Sequence, residues 1–274
     1  MKLQAVFLSA VLASLFIGCQ TAPAPCPADS GIVPEIERAG PEPTTPEETE
    51  VYEPVPAKVA VAATGLGFST APSDATVLFD GTHLDAFYMA QDSTAAQWTI
   101  NKDGSMTVAN RTGNLQTKEN FGSMQLHLEW ASPAEIMGEN QSRANSGVFI
   151  QQRYEVQIMD NNDNPTYTNG QVGALYKQKV PLAMASAPSG AWNAYDIVFH
   201  APEFNEAGQK TKSGTLTVFH NGVLIQDHVT IEGIIKYIGW PSNEPHGDAP
   251  IQLQDHGDNS RVRFRNIWLR KLGA

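Results

Sequence analysis

From Thr76 onward the chain consists of short runs of β-branched and aromatic residues that turn residues separate. In the clearest pair, residues 216–220 and 223–225 flank Asn221-Gly222. An Asn-Gly pair readily adopts the positive φ angles of a tight two-residue hairpin turn. No amphipathic segment of ten residues indicates a helix, and short strands at regular spacing are typical of sandwiches and barrels. The pattern therefore predicts an all-β domain over residues 76–274.

Side-chain alternation assigns faces to three of these strands. Residues 124–130 alternate strictly between apolar and polar side chains, which predicts a strand buried on one face. Glu155 and Gln157 share one face of their strand, and Gln254 and His256 share one face of another. Carboxylate, amide and imidazole groups on a sheet face suit the hydroxyl groups of sugars. The alternative is that they are solvent-facing strand residues without a special role.

The N-terminus has the pattern of an export signal. Lys2 precedes an almost wholly apolar stretch over residues 6–17, which is typical of a cleaved secretion signal. Residues 15–19, Leu-Phe-Ile-Gly-Cys, resemble a bacterial lipobox, in which the cysteine is lipidated. We therefore predict a signal peptide over residues 1–19 with lipidation at Cys19; the alternative is an ordinary signal peptide. The expected protein is exported and lipid-anchored at the outer membrane or cell surface, facing the periplasm or the exterior.

Residues 20–57 differ in composition from the rest of the chain. They hold nine of the eighteen prolines, and eight acidic residues against one basic residue. Few apolar residues, many prolines and like charges oppose a packed core, so we predict a disordered Pro/Glu-rich tether over residues 20–75. Both cysteines, Cys19 and Cys26, precede the predicted domain, so no disulfide framework supports it.

Charge and hydropathy limit the classes of molecule that the protein is expected to bind. The net charge of −11 argues against nucleic acid. No segment after the signal is long and apolar enough to cross a bilayer. We therefore expect membrane contact only through the N-terminal lipid, and a small carbohydrate as the substrate. The sequence does not predict an oligomeric state.

Eight segments resemble, in the same order, motifs of the 3-keto-disaccharide hydrolase domain family, formerly a domain of unknown function. They are residues 78–84 (beginning Leu78-Phe79-Asp80-Gly81), 144–149, 154–160, 173–176, 192–196, 220–222, 251–257 and 264–267. The resemblance covers residues 76–272. It implies a concanavalin-like, two-sheet antiparallel β-sandwich of the jelly-roll type that acts on 3-keto-disaccharides or 3-keto-glycosides. One departure is Ala144, where the family commonly has Gly or Asn.

The implied reaction sets the roles that side chains must fill. A ketone at C3 acidifies the C2 proton, so a base can remove it, the C1 oxygen is then lost, and water adds back. Such a reaction needs a base, an acid and groups that hold the enolate oxygen. Glu155 and His256 are the candidate base and acid, in either order. The candidate substrate-binding residues are Asn145, Arg153, Gln157, Gln254 and, for stacking on a sugar ring, Trp240.

A divalent cation is a further expectation. Glu155, Asp160 and His256 carry groups that could hold a metal ion, which would polarise the ketone as a Lewis acid. Asp160 has an alternative role as a cap of the turn over residues 161–164.

Two rival functions also fit a polar sheet face: a non-catalytic carbohydrate-binding module of the lectin type, and a scaffold without a ligand.

Overall fold

The computed structural model describes residues 31–61 and 71–273 of the chain. The strands within these ranges are β1 (Ala57–Lys58), β2 (Thr76–Phe79), β3 (Phe87–Met89), β4 (Thr99–Ile100), β5 (Met106–Thr107), β6 (Leu115–Thr117), β7 (Met124–Ala131), β8 (Ser146–Ile150), β9 (Tyr154–Ile158), β10 (Ala183–Met184), β11 (Asn193–His200), β12 (Glu203–Phe204), β13 (Lys210–Lys212), β14 (Thr215–His220), β15 (Val223–Thr230), β16 (Gln252–Leu253) and β17 (Arg263–Lys271). The 3-10 helices of the described residues are Pro46–Thr49, Asn140–Ser142 and Thr168–Gly170.

Two antiparallel sheets form the body of the fold. The eight-stranded sheet has the order β15-β14-β11-β7-β17-β5-β4, and β2 also pairs with β17. The five-stranded sheet has the order β3-β6-β16-β8-β9. Two short two-stranded sheets, β1-β10 and β12-β13, lie outside them. The fold is the concanavalin-like β-sandwich that the sequence predicts.

Apolar side chains from both sheets fill the space between them. Leu128 and Trp130 of β7 and Val156 of β9 are fully or almost fully buried in one core cluster. The rings of Tyr154 and Phe199 lie 5.8 Å apart and belong to different sheets. Burying such side chains stabilises the fold by about 1.5–3 kcal/mol each. Because alternate residues point to opposite faces, this core leaves the other face of β9 free for a site.

The predicted Asn-Gly hairpin is confirmed. β14 and β15 pair antiparallel around Asn221 and Gly222, whose φ angles are 53° and 79°. The Asn221 side chain also accepts a hydrogen bond from the Ala194 N–H at 2.8 Å. The turn is therefore fixed by its own backbone and by the neighbouring strand.

Residues 32–61, here called the arm, contradict the prediction of a disordered tether. The arm belongs to one compact unit with residues 71–273. β1 of the arm pairs with β10, and Arg38 forms an ion pair with Glu232 at 2.6 Å. An extended chain needs no core of its own where an existing surface supplies hydrogen-bond partners, and composition alone does not reveal such a surface.

Other parts of the prediction concern residues that the structure does not describe. The signal peptide, Cys19 and the tether over residues 20–30 and 62–70 lie outside the described residues, so they stay predictions. Within the described ranges, no helix has the length and apolar character that crossing a membrane requires.

Candidate functional site

A cavity of about 490 Å³ lies on the face of the five-stranded sheet that points away from the core. This volume is within the usual range of about 300–1,000 Å³ for small-molecule sites. Its walls come from two strands of the sheet, β8 and β9, from loops and from the arm. The lining residues are Glu50, Gln141, Ser142, Asn145, Phe149, Glu155, Gln157, Tyr167, Tyr176, Ile235, Tyr237, Gln254 and His256.

Strand pairing brings most of the predicted site residues together in this cavity. Phe149 of β8 lies opposite Glu155 of β9 and opposite Gln252 of β16. The strand with Glu155 and Gln157 and the segment with Gln254 and His256 thus lie on either side of β8. Their polar side chains are neighbours on one sheet face. The predicted residues that line the cavity are Asn145, Glu155, Gln157, Gln254 and His256.

Glu155 is a buried carboxylic acid at the floor of the cavity. Its residue is 4 % exposed, and burial raises the pKa of its carboxyl to about 8. No side chain or backbone group of the described residues is hydrogen-bonded to that carboxyl, so a ligand can engage both oxygens. Gly147 leaves room for it, because a Cβ atom built at residue 147 would lie 2.2 Å from Glu155 Oε1.

His256 is held by a neighbouring carboxylate. Its Nδ1 lies 3.0 Å from Asp258 Oδ2, and its side chain is 37 % exposed. If Nδ1 donates to Asp258, Nε2 is the unprotonated ring nitrogen and a proton acceptor. In the described part of the chain, Nε2 has no hydrogen-bond partner. The pair can thus present a base to the cavity.

Amide groups line the rest of the polar floor. Gln157 Nε2 donates to Gln141 Oε1 at 3.1 Å, and Asn145 Nδ2 donates to the Gln141 carbonyl at 2.7 Å. The Oε1 atoms of Gln157 and Gln254 are buried and have no hydrogen-bond partner in the structure. A buried acceptor without a partner is costly, so these oxygens are suited to sugar hydroxyls.

Three tyrosines of the cavity were not predicted as site residues. The hydroxyls of Tyr167 and Tyr176 lie 2.7 Å apart, and burial, opposed by the hydrogen bond from Tyr167, raises the pKa of Tyr176 to about 12. Tyr237 is 62 % exposed at the cavity. The matched segment 173–176 and the loop that contains Trp240 were the signals near Tyr176 and Tyr237.

Arg153 is not a lining residue of the cavity, which contradicts its prediction as a binding residue. It lies after Gln151 and Gln152, whose φ angles are 53° and 61°. Arg153 is the last residue of this turn, directly before β9. Its guanidinium instead donates to the Gln151 carbonyl at 2.8 Å.

Trp240 also lies away from the lining of the cavity, and the arm covers it. The Arg38 guanidinium lies 5.1 Å from the centroid of its ring, and its backbone N–H donates to Glu42 Oε1 at 2.9 Å. The prediction that Trp240 stacks on a sugar is therefore wrong. Tyr237, three residues earlier, is the aromatic residue of this loop that lines the cavity.

Asp160 is not part of the same cavity either. Its Oδ1 accepts hydrogen bonds from the Asn162 backbone and side chain, both at 3.0 Å, and its Oδ2 accepts one from Ser189 at 2.6 Å. The predicted metal set of Glu155, Asp160 and His256 is therefore wrong. Nor do the described residues contain another group of three or more His, Cys, Asp or Glu side chains placed to hold a metal ion.

Comparison with known proteins places the chain in a family. The 3-keto-alpha-glucoside-1,2-lyase-like domain matches residues 74–270. The chain belongs to this family. Membership confirms the resemblance predicted from the eight segments and makes the chain a relative of carbohydrate-active proteins. No curated protein matches the chain.

Similar solved structures come from Parabacteroides distasonis ATCC 8503, in proteins provisionally assigned as glycosyl hydrolases. One has 49% sequence identity and a TM-score of 0.74, and the match covers 82% of this chain and 96% of that chain. Residues 71–274 make up less than 82% of this chain, so the match also includes residues before position 71. Two others have 18% and 20% identity and TM-scores of 0.54 and 0.50, cover 73% and 72% of this chain and 94% and 99% of their own, and show the fold alone.

Proposed function

We propose that this protein cleaves 3-keto-disaccharides or related 3-keto-glycosides. The observation that carries the proposal is the pairing, in one cavity, of a buried carboxyl of raised pKa with a histidine held by a carboxylate. A protonated carboxyl and an imidazole with a free ring nitrogen suit an acid and a base that act on one substrate. Family membership supports the same substrate class.

In the first step His256 is the base. Its Nε2 takes the C2 proton of the sugar, which the neighbouring ketone has made acidic, and an enolate forms. Asp258 positions the ring and stabilises the charge that the imidazole gains, as a carboxylate does in other acid–base pairs. Gln254 and Tyr176 carry N–H and O–H donors for the enolate oxygen.

In the second step the enolate re-forms its carbonyl and the bond from C1 to the glycosidic oxygen breaks. Glu155, protonated at neutral pH because of its raised pKa, gives its proton to the departing oxygen. The ring then has a double bond between C1 and C2. Water adds across it to give the free 3-keto sugar, so the net reaction is hydrolysis.

The purified protein and 3-keto-trehalose test this proposal. We expect release of 3-keto-glucose by the wild type, and a loss of about 100-fold or more in Glu155→Gln and His256→Ala. Glu119→Gln and His83→Ala are the matched controls, because these exposed side chains lie away from the cavity. Turnover that survives both site substitutions contradicts the assignment.

Two further outcomes of this experiment address the alternatives. Saturable binding of the sugar without turnover would favour the carbohydrate-binding module. The binding of a divalent cation stays a prediction, and a parallel reaction with a chelator tests it. Because the steps above use side chains alone, we expect the chelated protein to keep its activity.

A further inference from the structure

The arm contributes a carboxylate to the cavity. Glu50 follows the 3-10 helix Pro46–Thr49 and lines the cavity with Glu155 and His256. Its side chain is 11 % exposed. The family match begins at residue 74, so Glu50 lies before the matched domain. The arm, which its composition predicts to be a spacer, therefore forms part of the cavity wall.

Hydrogen bonds from the 3-10 helix Thr168–Gly170 fix the arm on both sides of Glu50. Asn169 Nδ2 donates to the Thr49 carbonyl at 2.9 Å, and Asn169 Oδ1 accepts from the Val51 N–H at 3.0 Å. The N–H and hydroxyl of Thr168 both donate to the Val51 carbonyl, at 2.6 Å and 2.7 Å. These contacts hold the residues before and after Glu50, which fixes its backbone over the cavity.

Glu50 has polar and aromatic neighbours that suit a sugar. Its Oε2 accepts a hydrogen bond from the Tyr52 hydroxyl at 2.8 Å, and its Oε1 lies 4.0 Å from Lys177 Nζ. The Lys177 ammonium also lies 5.5 Å and 5.0 Å from the ring centroids of Tyr167 and Tyr237. At that distance from Lys177, Oε1 keeps capacity to accept a hydroxyl group. Carboxylates beside aromatic rings are a common means of holding sugars by hydroxyl groups and ring faces.

We propose that Glu50 is a substrate-binding residue that accepts a hydrogen bond from a sugar hydroxyl, and that the arm is one wall of the sugar site. This inference rests on the proposed function, since it concerns the same cavity. Glu50 would contribute to binding of the sugar and not to proton transfer. Asn169 is then a positioning residue, because its side chain touches the arm and is not a lining group of the cavity.

The kinetics of Glu50→Gln with 3-keto-trehalose test this proposal. A hydrogen bond to a charged group contributes enough free energy of binding that its loss should raise KM about tenfold or more. We expect kcat to change by less than about threefold. Glu37→Gln is the matched control, because Glu37 is an exposed carboxylate of the same arm outside the cavity. Asn169→Ala should raise KM in the same way and make the arm more sensitive to proteolysis.

Direct binding separates this inference from the proposed function. Calorimetry with 3-keto-trehalose and with trehalose as probes measures affinity whether or not turnover occurs. Weaker binding by Glu50→Gln than by Glu37→Gln, in a protein without turnover, supports the Glu50 site and contradicts the proposed reaction. Turnover with equal KM in both variants overturns the Glu50 site and leaves the reaction in place. A wild type that binds neither probe overturns both.

Discussion

Burial keeps the Glu155 carboxyl protonated at neutral pH, because its pKa lies at about 8. An exposed glutamate would be ionised there and could not give a proton to a leaving group. The carboxyl can stay buried because Gly147 has no side chain at the point of contact. The chemistry of this residue thus follows from its place in the sheet.

The pH dependence of kcat/KM tests the role of Glu155. As an acid it is active only when protonated, so activity on 3-keto-trehalose should fall as the pH rises through about 8. In Glu155→Gln that alkaline decrease should disappear. The variant should also lose much less activity on a 4-nitrophenyl 3-keto-glucoside, whose leaving group needs no acid. Activity that instead rises through this pH would make Glu155 the base.

At the scale of single elements, β8 is the strand that leaves room for the Glu155 carboxyl in the site. It lies between β9 and β16, and its Gly147 faces the side chain of Glu155. A residue with a side chain at this position would push the carboxyl out of its place. The strand therefore needs glycine here for close approach and not for a backbone angle.

Gly147→Ala tests this requirement. The added Cβ would lie 2.2 Å from Glu155 Oε1, so Glu155 must move, and we expect kcat to fall by about 100-fold. Far-ultraviolet circular dichroism should stay that of the wild type. Gly247→Ala is the control, because a Cβ there meets nothing within 4 Å. Unchanged kcat in Gly147→Ala would show that the position of Glu155 does not matter.

The strands were predictable where alternation was unbroken. Alternation and the matched segments placed Glu155, Gln157 and Gln254 on one sheet face, and the structure confirms that they share a cavity. Arg153 was misplaced because it lies in the turn before β9, where no alternation fixes the direction of a side chain, and its guanidinium donates to the Gln151 carbonyl. Glu50 was missed because long-range hydrogen bonds, which leave no local pattern, hold the arm.

Residues 124–130 form the predicted strand with its apolar face buried, but the polar face is covered as well, for a related reason. Their polar side chains were expected to face solvent, yet His127 and Glu129 are 1% and 3% exposed. β7 is a central strand, and Trp268 of β17 stacks on His127 with ring centroids 5.0 Å apart. A sequence shows which side chains share a face, whereas the neighbouring strand decides whether that face is covered.

At the scale of the whole molecule, the same covered face links stability to pH. Burial alone would lower the pKa of His127, but hydrogen bonds and charge from Asp196 and Glu129 outweigh it and raise the pKa to about 9. The closest contact is 2.7 Å, between His127 Nδ1 and Asp196 Oδ1. The folded state therefore favours the charged imidazole, whose ordinary pKa is 6.5.

This linkage predicts a loss of stability in alkaline solution. The contribution of His127 is fully present below pH 6.5 and is lost as the pH rises through about 9. Urea unfolding of the wild type and of His127→Gln across this range measures it. We expect the wild type's advantage in the free energy of unfolding to shrink with rising pH. A difference that stays constant would show that His127 does not change its charge in this window.

The predicted anchor also acts on the whole molecule. If Cys19 is lipidated, the wild-type chain should be found in the membrane fraction of a bacterial host and should incorporate labelled palmitate. Cys19→Ala should be soluble and unlabelled. Cys26→Ala is the matched control and should behave as the wild type does. Membrane attachment that survives Cys19→Ala would contradict lipidation at this residue.

The central claim is that the bond is broken by removal of the C2 proton, and solvent deuterium reports on that step directly. The reaction with 3-keto-trehalose is run in D2O, the hydroxyl groups are exchanged back in H2O, and the released 3-keto-glucose is examined by mass spectrometry and NMR. Product incubated with His256→Ala under the same conditions corrects for exchange that the catalytic base does not cause. The account predicts one deuterium at C2 of the released sugar. Release of 3-keto-glucose that keeps its original proton at C2 would contradict it.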